Sequence, residues 1–90
     1  HARRRLVTDV YDPLVEGGTG LLETVAAFVE EGGSIEGSAR RLFVHPNTVR
    51  YRLRRAADLT GLTPTHARHA YTLRLALTLG RLQRDDAPGG

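Results

Sequence analysis

The stretch SIEGSARRLFVHPNTVRYRLRRAADLTG, residues 34–61, decides the fold of this chain of 90 residues. It predicts two short helices, over 35–42 and over about 46–60, that are joined by a tight turn at 43–45. Ser34 can cap the first helix by accepting a backbone amide that has no partner within the helix.

The second helix has clear signals at both ends and along its buried side. Pro46 suits the first helical position, where its missing amide costs nothing, and Gly61 is a typical C-terminal stop. Val49, Leu53 and Ala56 recur at three- and four-residue steps, which predicts a stripe that faces the core.

The outward side of this helix is polar and cationic. Its segment RYRLRR carries four arginines, and no acid follows until Asp58. A helix needs such a face to lie in the major groove, where a wall of phosphates stands on each side. The candidate DNA-binding residues on and beside this face are Asn47, Thr48, Arg50, Tyr51, Arg52, Arg54 and Arg55.

Charge is divided unevenly along the chain. Residues 1–33 hold three arginines and six acids, a balance of −3, whereas residues 34–90 hold ten arginines and four acids, a balance of +6. A basic half beside an acidic half favours a polyanionic partner at one face, although a solvated surface would show the same pattern.

Composition and spacing argue against several classes of protein. Cysteine is absent, so there is no disulfide or thiolate site, and no apolar run reaches the roughly 18 residues of a membrane span or forms a signal peptide. His66 and His69 are spaced i, i+3, but a zinc site needs more ligands. No catalytic motif stands out. We expect a cytoplasmic protein without enzyme activity, metal or cofactor.

The flanking segments complete the predicted domain. Residues 1–18 are expected to be a linker or the tail of a preceding domain, with a short helix over 3–15 that Pro13 ends or kinks. The helix-turn-helix domain itself is expected over 19–84, and a disordered tail over 85–90.

A supporting helix is predicted over about 20–31, immediately before the central stretch. Thr19 is its expected N-cap, and an apolar face at helical spacing is expected to join the core. Glu23, Thr24 and Glu30 are expected to face away from that core.

The last helix, predicted over 65–84, carries two apolar stripes. One consists of Tyr71, Leu75, Leu79 and Leu82, and the other of Leu73, Ala76 and Leu77. Either one stripe packs on the domain and the other on a second copy of the chain, or both form a single wide buried face. Together, the segments predict an all-α fold, a small bundle of about five helices.

The segment ARRLFVHPNTVRYRL, residues 39–53, resembles the helix-turn-helix of the Fis-like group. In that group a small residue is followed ten positions later by a branched apolar residue and then by a basic run, as in Ala39 and Val49 here. Phe43 departs from the resemblance at a position where glycine is common, which implies either a different turn geometry or a ring wedged into the core.

A longer stretch, residues 21–82, resembles the C-terminal DNA-binding domain of PucR-type transcriptional regulators, with FVHPNTVRYRLRR as its most specific phrase. The resemblance implies a bacterial transcription factor, usually an activator. It also implies a longer protein in which a domain outside this chain senses an effector.

Several of the candidate residues have two possible roles. Arg50 can donate two hydrogen bonds to guanine, worth about 1–3 kcal/mol of discrimination, or contact a phosphate. Asn47 can bind adenine or satisfy backbone groups at the start of the helix. Thr48 and Tyr51 can contact a thymine methyl group or a phosphate.

The remaining candidates are expected to contact the DNA backbone. Arg52, Arg54 and Arg55 are predicted phosphate clamps, which add affinity without sequence information. His45 lies at the helix entry, near the backbone or as a simple cap, and Ser34 is either an N-cap or a phosphate contact.

The leading hypothesis is a sequence-specific module that binds double-stranded DNA, with helix 46–60 in the major groove. We expect a homodimer, for which helix 65–84 is a candidate interface. Two alternatives stay open at this point: the DNA-targeting domain of a recombinase-type enzyme, and a protein-interaction or dimerisation module.

Overall fold

The computed structural model describes residues 2–85, so that His1 and residues 86–90 lie outside it. The predicted tail therefore falls, apart from Asp85, outside the described residues. The helical segments are α1 (Ala2–Leu6), a π-helical turn (Val7–Tyr11), α2 (Asp12–Glu16), α3 (Leu21–Glu30), α4 (Ile35–Leu42), α5 (Pro46–Thr60) and α6 (Ala67–Asp85). The first three follow one another without a break, so residues 2–85 form five helices and no strand, which confirms the predicted all-α fold.

Of the two outcomes expected at Pro13, an end or a kink of the N-terminal helix, the first is wrong, because the helix continues past Pro13. The π-helical turn precedes Pro13, and at its end the amide of Asp12 donates to the carbonyl of Val7, five residues back. Pro13 follows this turn as the second residue of α2, and the helix continues to Glu16.

This N-terminal helix packs into the same hydrophobic core as the rest of the chain. Val10, Tyr11 and Leu14 are buried, and the π-helical turn lies against α6. Gly80 of α6 faces Tyr11 so closely that a Cβ atom there would overlap the ring. The predicted boundary at residue 18 stays a prediction, although the helix before it is an integral part of the core.

Helix α3 lies at the centre of the bundle and contacts α2, α4, α5 and α6. It begins after Gly20, whose φ of 75° is left-handed, and Gly20 rather than Thr19 is the N-cap. The prediction that Thr24 faces solvent is wrong, because its side chain is fully buried. Its hydroxyl is satisfied there by donating to the carbonyl of Gly20 at 2.6 Å.

The central stretch has the predicted helix-turn-helix. Ser34 caps α4 by accepting the amide of Gly37 at 2.8 Å, and the buried Ala39 leaves room for α5 to pack closely. Phe43 ends α4 with φ 59° and ψ 44°, the left-handed conformation that glycine normally provides. Its ring is 94% exposed, so the turn has glycine-like geometry and the core wedge is excluded.

Helix α6 begins at Ala67, two residues later than predicted. Before it, Pro64 is buried and the amide of His66 donates to the carbonyl of Thr63 at 2.9 Å, which closes a turn. The amide of Thr63 in turn donates to Nδ1 of His69 at 2.9 Å. Residues 65 and 66, which the sequence pattern assigned to the start of the helix, belong to this turn instead.

The two apolar stripes of α6 have different environments. Leu73, Ala76 and Leu77 are buried in the core. The other stripe is left largely uncovered in the single chain, with Tyr71 65% exposed and Leu82 55% exposed. The alternative of one wide buried face is therefore wrong for the single chain.

Candidate nucleic-acid interface

Helix α5 presents one buried and one exposed side, as its periodicity predicts. Val49, Leu53 and Ala56 are buried against the core. The exposed side chains of α5 are those of Asn47, Arg50, Tyr51, Arg54, Arg55 and Asp58, and we call the first five the outer face of α5. Three of these five are arginines, so the helix offers a cationic surface to any partner that approaches from solvent.

The start of α5 is fixed by His45. Its backbone is extended, and its ring Nδ1 accepts the amide of Asn47 at 3.0 Å, while its carbonyl accepts the amide of Thr48 at 2.9 Å. His45 is thus the N-cap of the helix and is exposed. Thr48 is half-buried at the edge of the outer face.

Two side chains of the outer face are joined to each other. Arg50 Nη1 donates to Asn47 Oδ1 at 2.8 Å, one helical turn away. The two residues are exposed, and their bond fixes where the guanidinium lies relative to the helix start. The structure therefore brings Asn47 and Arg50 together as a pair.

Arg52 does not belong to the outer face. Its guanidinium is half-buried and Nη1 donates to the hydroxyl of Thr24 on α3 at 3.2 Å. Gly20 makes room for this arrangement, because a Cβ atom there would lie 2.6 Å from Arg52 Nη1. The predicted phosphate contact of Arg52 stays untested, but its observed partner is within the protein.

Arg41 of α4 is paired with acidic residues of the preceding helix and turn. Arg41 forms ion pairs with Glu30 at 2.6 Å and with Glu31 at 3.4 Å. The hydrogen bond and the charge of Glu30 raise the pKa of Arg41 above its ordinary value. These pairs neutralise charge at the α3–α4 junction.

Ser34, whose hydroxyl already accepts the amide of Gly37, is half-buried at the start of α4.

Sequence reasoning missed the contact between Thr24 and Arg52. The helical spacing held the signal, since Thr24 lies between Leu21, Val25 and Phe28 on the buried side of α3. A buried hydroxyl between apolar neighbours needs a partner, and an arginine on an adjacent helix is one kind of donor.

The described residues offer neither a metal site nor a membrane span. His66 and His69 have their ring centroids 4.6 Å apart, but no group of three or more potential metal ligands occurs within residues 2–85. Within the same range, none of the helices is long and apolar enough to traverse a bilayer.

Comparison with known proteins identifies the domain type. The family model described as the PucR C-terminal helix-turn-helix domain matches residues 21–79. An uncharacterized protein of Mycobacterium tuberculosis is 57% identical over 77 residues, which are 86% of this chain and 19% of that protein. The purine catabolism regulatory protein of Bacillus subtilis is 40% identical over 62 residues, 69% of this chain and 12% of that protein.

A solved structure shares the fold. The regulator of polyketide synthase expression from Bifidobacterium adolescentis matches with a TM-score of 0.86 and 45% identity, over 91% of this chain and 35% of that one. The chain thus spans less than a fifth of the length of these curated relatives and about a third of the solved one. The match is to a DNA-binding regulatory module, which is not an enzyme.

Proposed function

The chain belongs to the PucR C-terminal helix-turn-helix domain family, and from this membership we propose that it is the sequence-specific DNA-binding module of a longer bacterial transcriptional regulator. Helix α5 enters the major groove of double-stranded DNA with its outer face toward the bases. The observation that supports this proposal best is the separation along α5 between a buried apolar stripe and an exposed cationic face.

The residues of the outer face divide into two groups in this proposal. Arg50 and Asn47 lie at the start of the helix, which is the part of a recognition helix that reaches base edges. Tyr51, Arg54 and Arg55 contact phosphates or the sugar backbone and set affinity and register. His45 and Thr48 contact the DNA backbone beside the helix start, while the ring Nδ1 and the carbonyl of His45 accept the amides of Asn47 and Thr48 in the cap.

Arg52 and Ser34 have supporting roles in this arrangement. Arg52 donates to Thr24 of α3. This contact fixes the position of α5, and with it the outer face, relative to α3. Ser34 holds the start of α4. Each keeps spare hydrogen-bonding capacity that a nearby phosphate can use, because a guanidinium has five N–H donors and a serine hydroxyl has one.

The module works as a homodimer through α6. Tyr71, Leu75 and Leu82 are spaced by four and seven residues and are exposed on the side of α6 opposite its core stripe. Arg74 and Arg81 flank them but are drawn toward α3, by the carbonyl of Val29 at 3.0 Å and by Glu30. Three large apolar side chains therefore stay exposed along this stripe, with the polar Thr78 among them, which suits an interface between two copies.

The remaining functional proposals concern the whole regulator. We propose that an upstream domain senses an effector and that the regulator activates transcription. Two relatives are named as regulators, which favours a regulator over a recombinase-type enzyme. Bacterial DNA is cytoplasmic, so the protein acts there. With two copies of α5 about 34 Å apart, the operator would contain two half-sites one helical turn apart.

Selection of bound sites from random duplexes tests this function. The chain is expected to enrich a motif with two related half-sites, and its affinity for that motif should fall as salt rises, because bound arginines release counterions. Recovery of sequences without any shared motif, or binding that does not respond to salt, would contradict the proposal.

A further inference from the structure

The bond between Asn47 and Arg50 limits what this pair can present to DNA. Asn47 Oδ1 accepts Arg50 Nη1 at 2.8 Å, and the backbone amide of Asn47 is already donated to His45. A side-chain amide has one acceptor oxygen and two N–H donors, and a guanidinium has donors only. When the oxygen accepts from Arg50, one of its two lone pairs is used, and the free N–H groups of Asn47 and Arg50 then outnumber the acceptor capacity that remains.

The bases differ in how many hydrogen bonds their major-groove edges can accept from a surface of donors. Guanine offers two acceptors, N7 and O6, to which an arginine can donate in a fork. Adenine offers one acceptor and one donor, so an asparagine that binds it in two places must accept the N6 hydrogen with its own oxygen. In this structure that oxygen already accepts from Arg50, so a two-point contact with adenine would have to share or displace this bond.

We propose that Asn47 and Arg50 act as one unit that recognises guanine, in which Arg50 contacts the base and Asn47 is a positioning residue. This inference rests on the proposed function, in which the outer face of α5 enters the major groove. In place of two independent contacts, Arg50 to guanine and Asn47 to adenine, the pair makes a single contact to guanine through Arg50.

The pair also explains how a long exposed side chain can discriminate between bases. A free arginine loses rotamer freedom when it docks, and that loss weakens binding. The bond to Asn47 restricts Arg50 before DNA arrives, so less freedom is lost on binding. Asn47 is thus expected to raise the specificity of Arg50 without touching the base itself.

Site selection and binding to matched duplexes test the proposal with four variants: Arg50→Ala, Asn47→Ala, Asn47→Asp and the double alanine variant. Arg50→Ala is expected to lose roughly 5- to 150-fold of discrimination at one guanine position. Asn47→Ala should relax the same position, and the double variant should discriminate no worse than Arg50→Ala. Far-ultraviolet circular dichroism verifies that each variant keeps its helices.

Asn47→Asp distinguishes positioning from direct contact. Its carboxylate can still accept from Arg50 but cannot donate to a base, so the guanine preference should persist while affinity falls alike on all sequences. The proposal is overturned if Asn47→Asp loses that preference as Asn47→Ala does, or if Asn47→Ala relaxes a separate adenine position. Absence of any sequence preference in the unsubstituted chain would overturn the proposed function and this inference together.

Discussion

Arg52 Nη1 lies 3.2 Å from the hydroxyl of Thr24, and this bond connects α5 to the buried side of α3. The same hydroxyl donates to the carbonyl of Gly20 at 2.6 Å, so the N-terminus of α3 and the middle of α5 share one polar contact within an apolar core. This bond thus fixes the position of α5 relative to α3.

Thr24→Val should destabilise the chain by about 1–2 kcal/mol, because it leaves a partly buried N–H of Arg52 without its partner. Valine keeps the branched shape, so packing is nearly unchanged. Thr72→Val is a matched control, since Thr72 makes the same kind of bond, to the carbonyl of Arg68, in an exposed hydrogen bond on α6. Urea unfolding measures both, and equal effects for the two variants would contradict the role given to Thr24.

Gly80→Ala is expected to destabilise by about 1–3 kcal/mol despite the better helix propensity of alanine. The added methyl group would meet the ring of Tyr11, which packs on the backbone of α6. In a Tyr11→Ala background the same change should be neutral or stabilising, because the obstacle is gone. Urea unfolding of the four proteins measures this coupling, and a cost of Gly80→Ala that is equal in both backgrounds would exclude the ring as its cause.

Phe43→Gly should stabilise the chain by about 1 kcal/mol. Phe43 has a left-handed backbone, which an L-residue adopts at a cost of about 1–2 kcal/mol, and its exposed ring gains little from packing. Phe43→Ala keeps the unfavourable backbone and serves as the control. Thermal unfolding should rank glycine above alanine and phenylalanine, and a less stable glycine variant would show that the ring itself stabilises the turn.

Arg54→Ala should weaken binding to all duplexes alike and reduce the slope of log affinity against log salt by about one, because one phosphate contact is lost. Arg5→Ala removes an exposed arginine from α1 that belongs neither to the outer face of α5 nor to the exposed stripe of α6. Fluorescence anisotropy at several salt concentrations compares the two variants. An equal effect of both would mean that overall charge, and not the outer face of α5, determines binding.

Leu75→Asp is expected to dissociate the dimer while the chain stays folded. Leu75 is 40% exposed in the single chain, so a carboxylate there remains in contact with water, whereas burial of an unpaired charge between two copies would be costly. Gln83→Asp places the same charge elsewhere on the exposed surface of α6. Sedimentation equilibrium should separate the two variants, and a monomeric unsubstituted chain would refute the interface.

Local signals were enough to predict much of the fold. A capping serine before α4, a proline at the start of α5 and a glycine after it determined those bounds correctly, because such residues act through the adjacent backbone alone. The expectation that the helix could end at Pro13 relied on the same kind of local signal, and it was wrong. A proline usually ends a helix, but here a π-helical turn precedes it and the buried Tyr11 and Leu14 keep the helix in the core.

The sequence predicted which residues lie on the outer face of α5, but not which residues they bond to. Periodicity placed Asn47, Arg50 and Arg54 on the outer face of α5. It could not show that Arg50 bonds to Asn47 or that Arg52 turns to Thr24, because those contacts depend on rotamers and on a helix 28 residues away in sequence. The type of residue also misled at Thr24, where a polar side chain occupies a core position.

Amide chemical-shift mapping of the isotope-labelled chain, titrated with its selected duplex, tests the central claim most directly. Binding through the outer face of α5 predicts the largest shifts at residues 45–55 and small ones around Tyr71 and Leu75 at a fixed oligomeric state. Shifts centred on α6, with the amides of α5 unchanged at saturation, would contradict it.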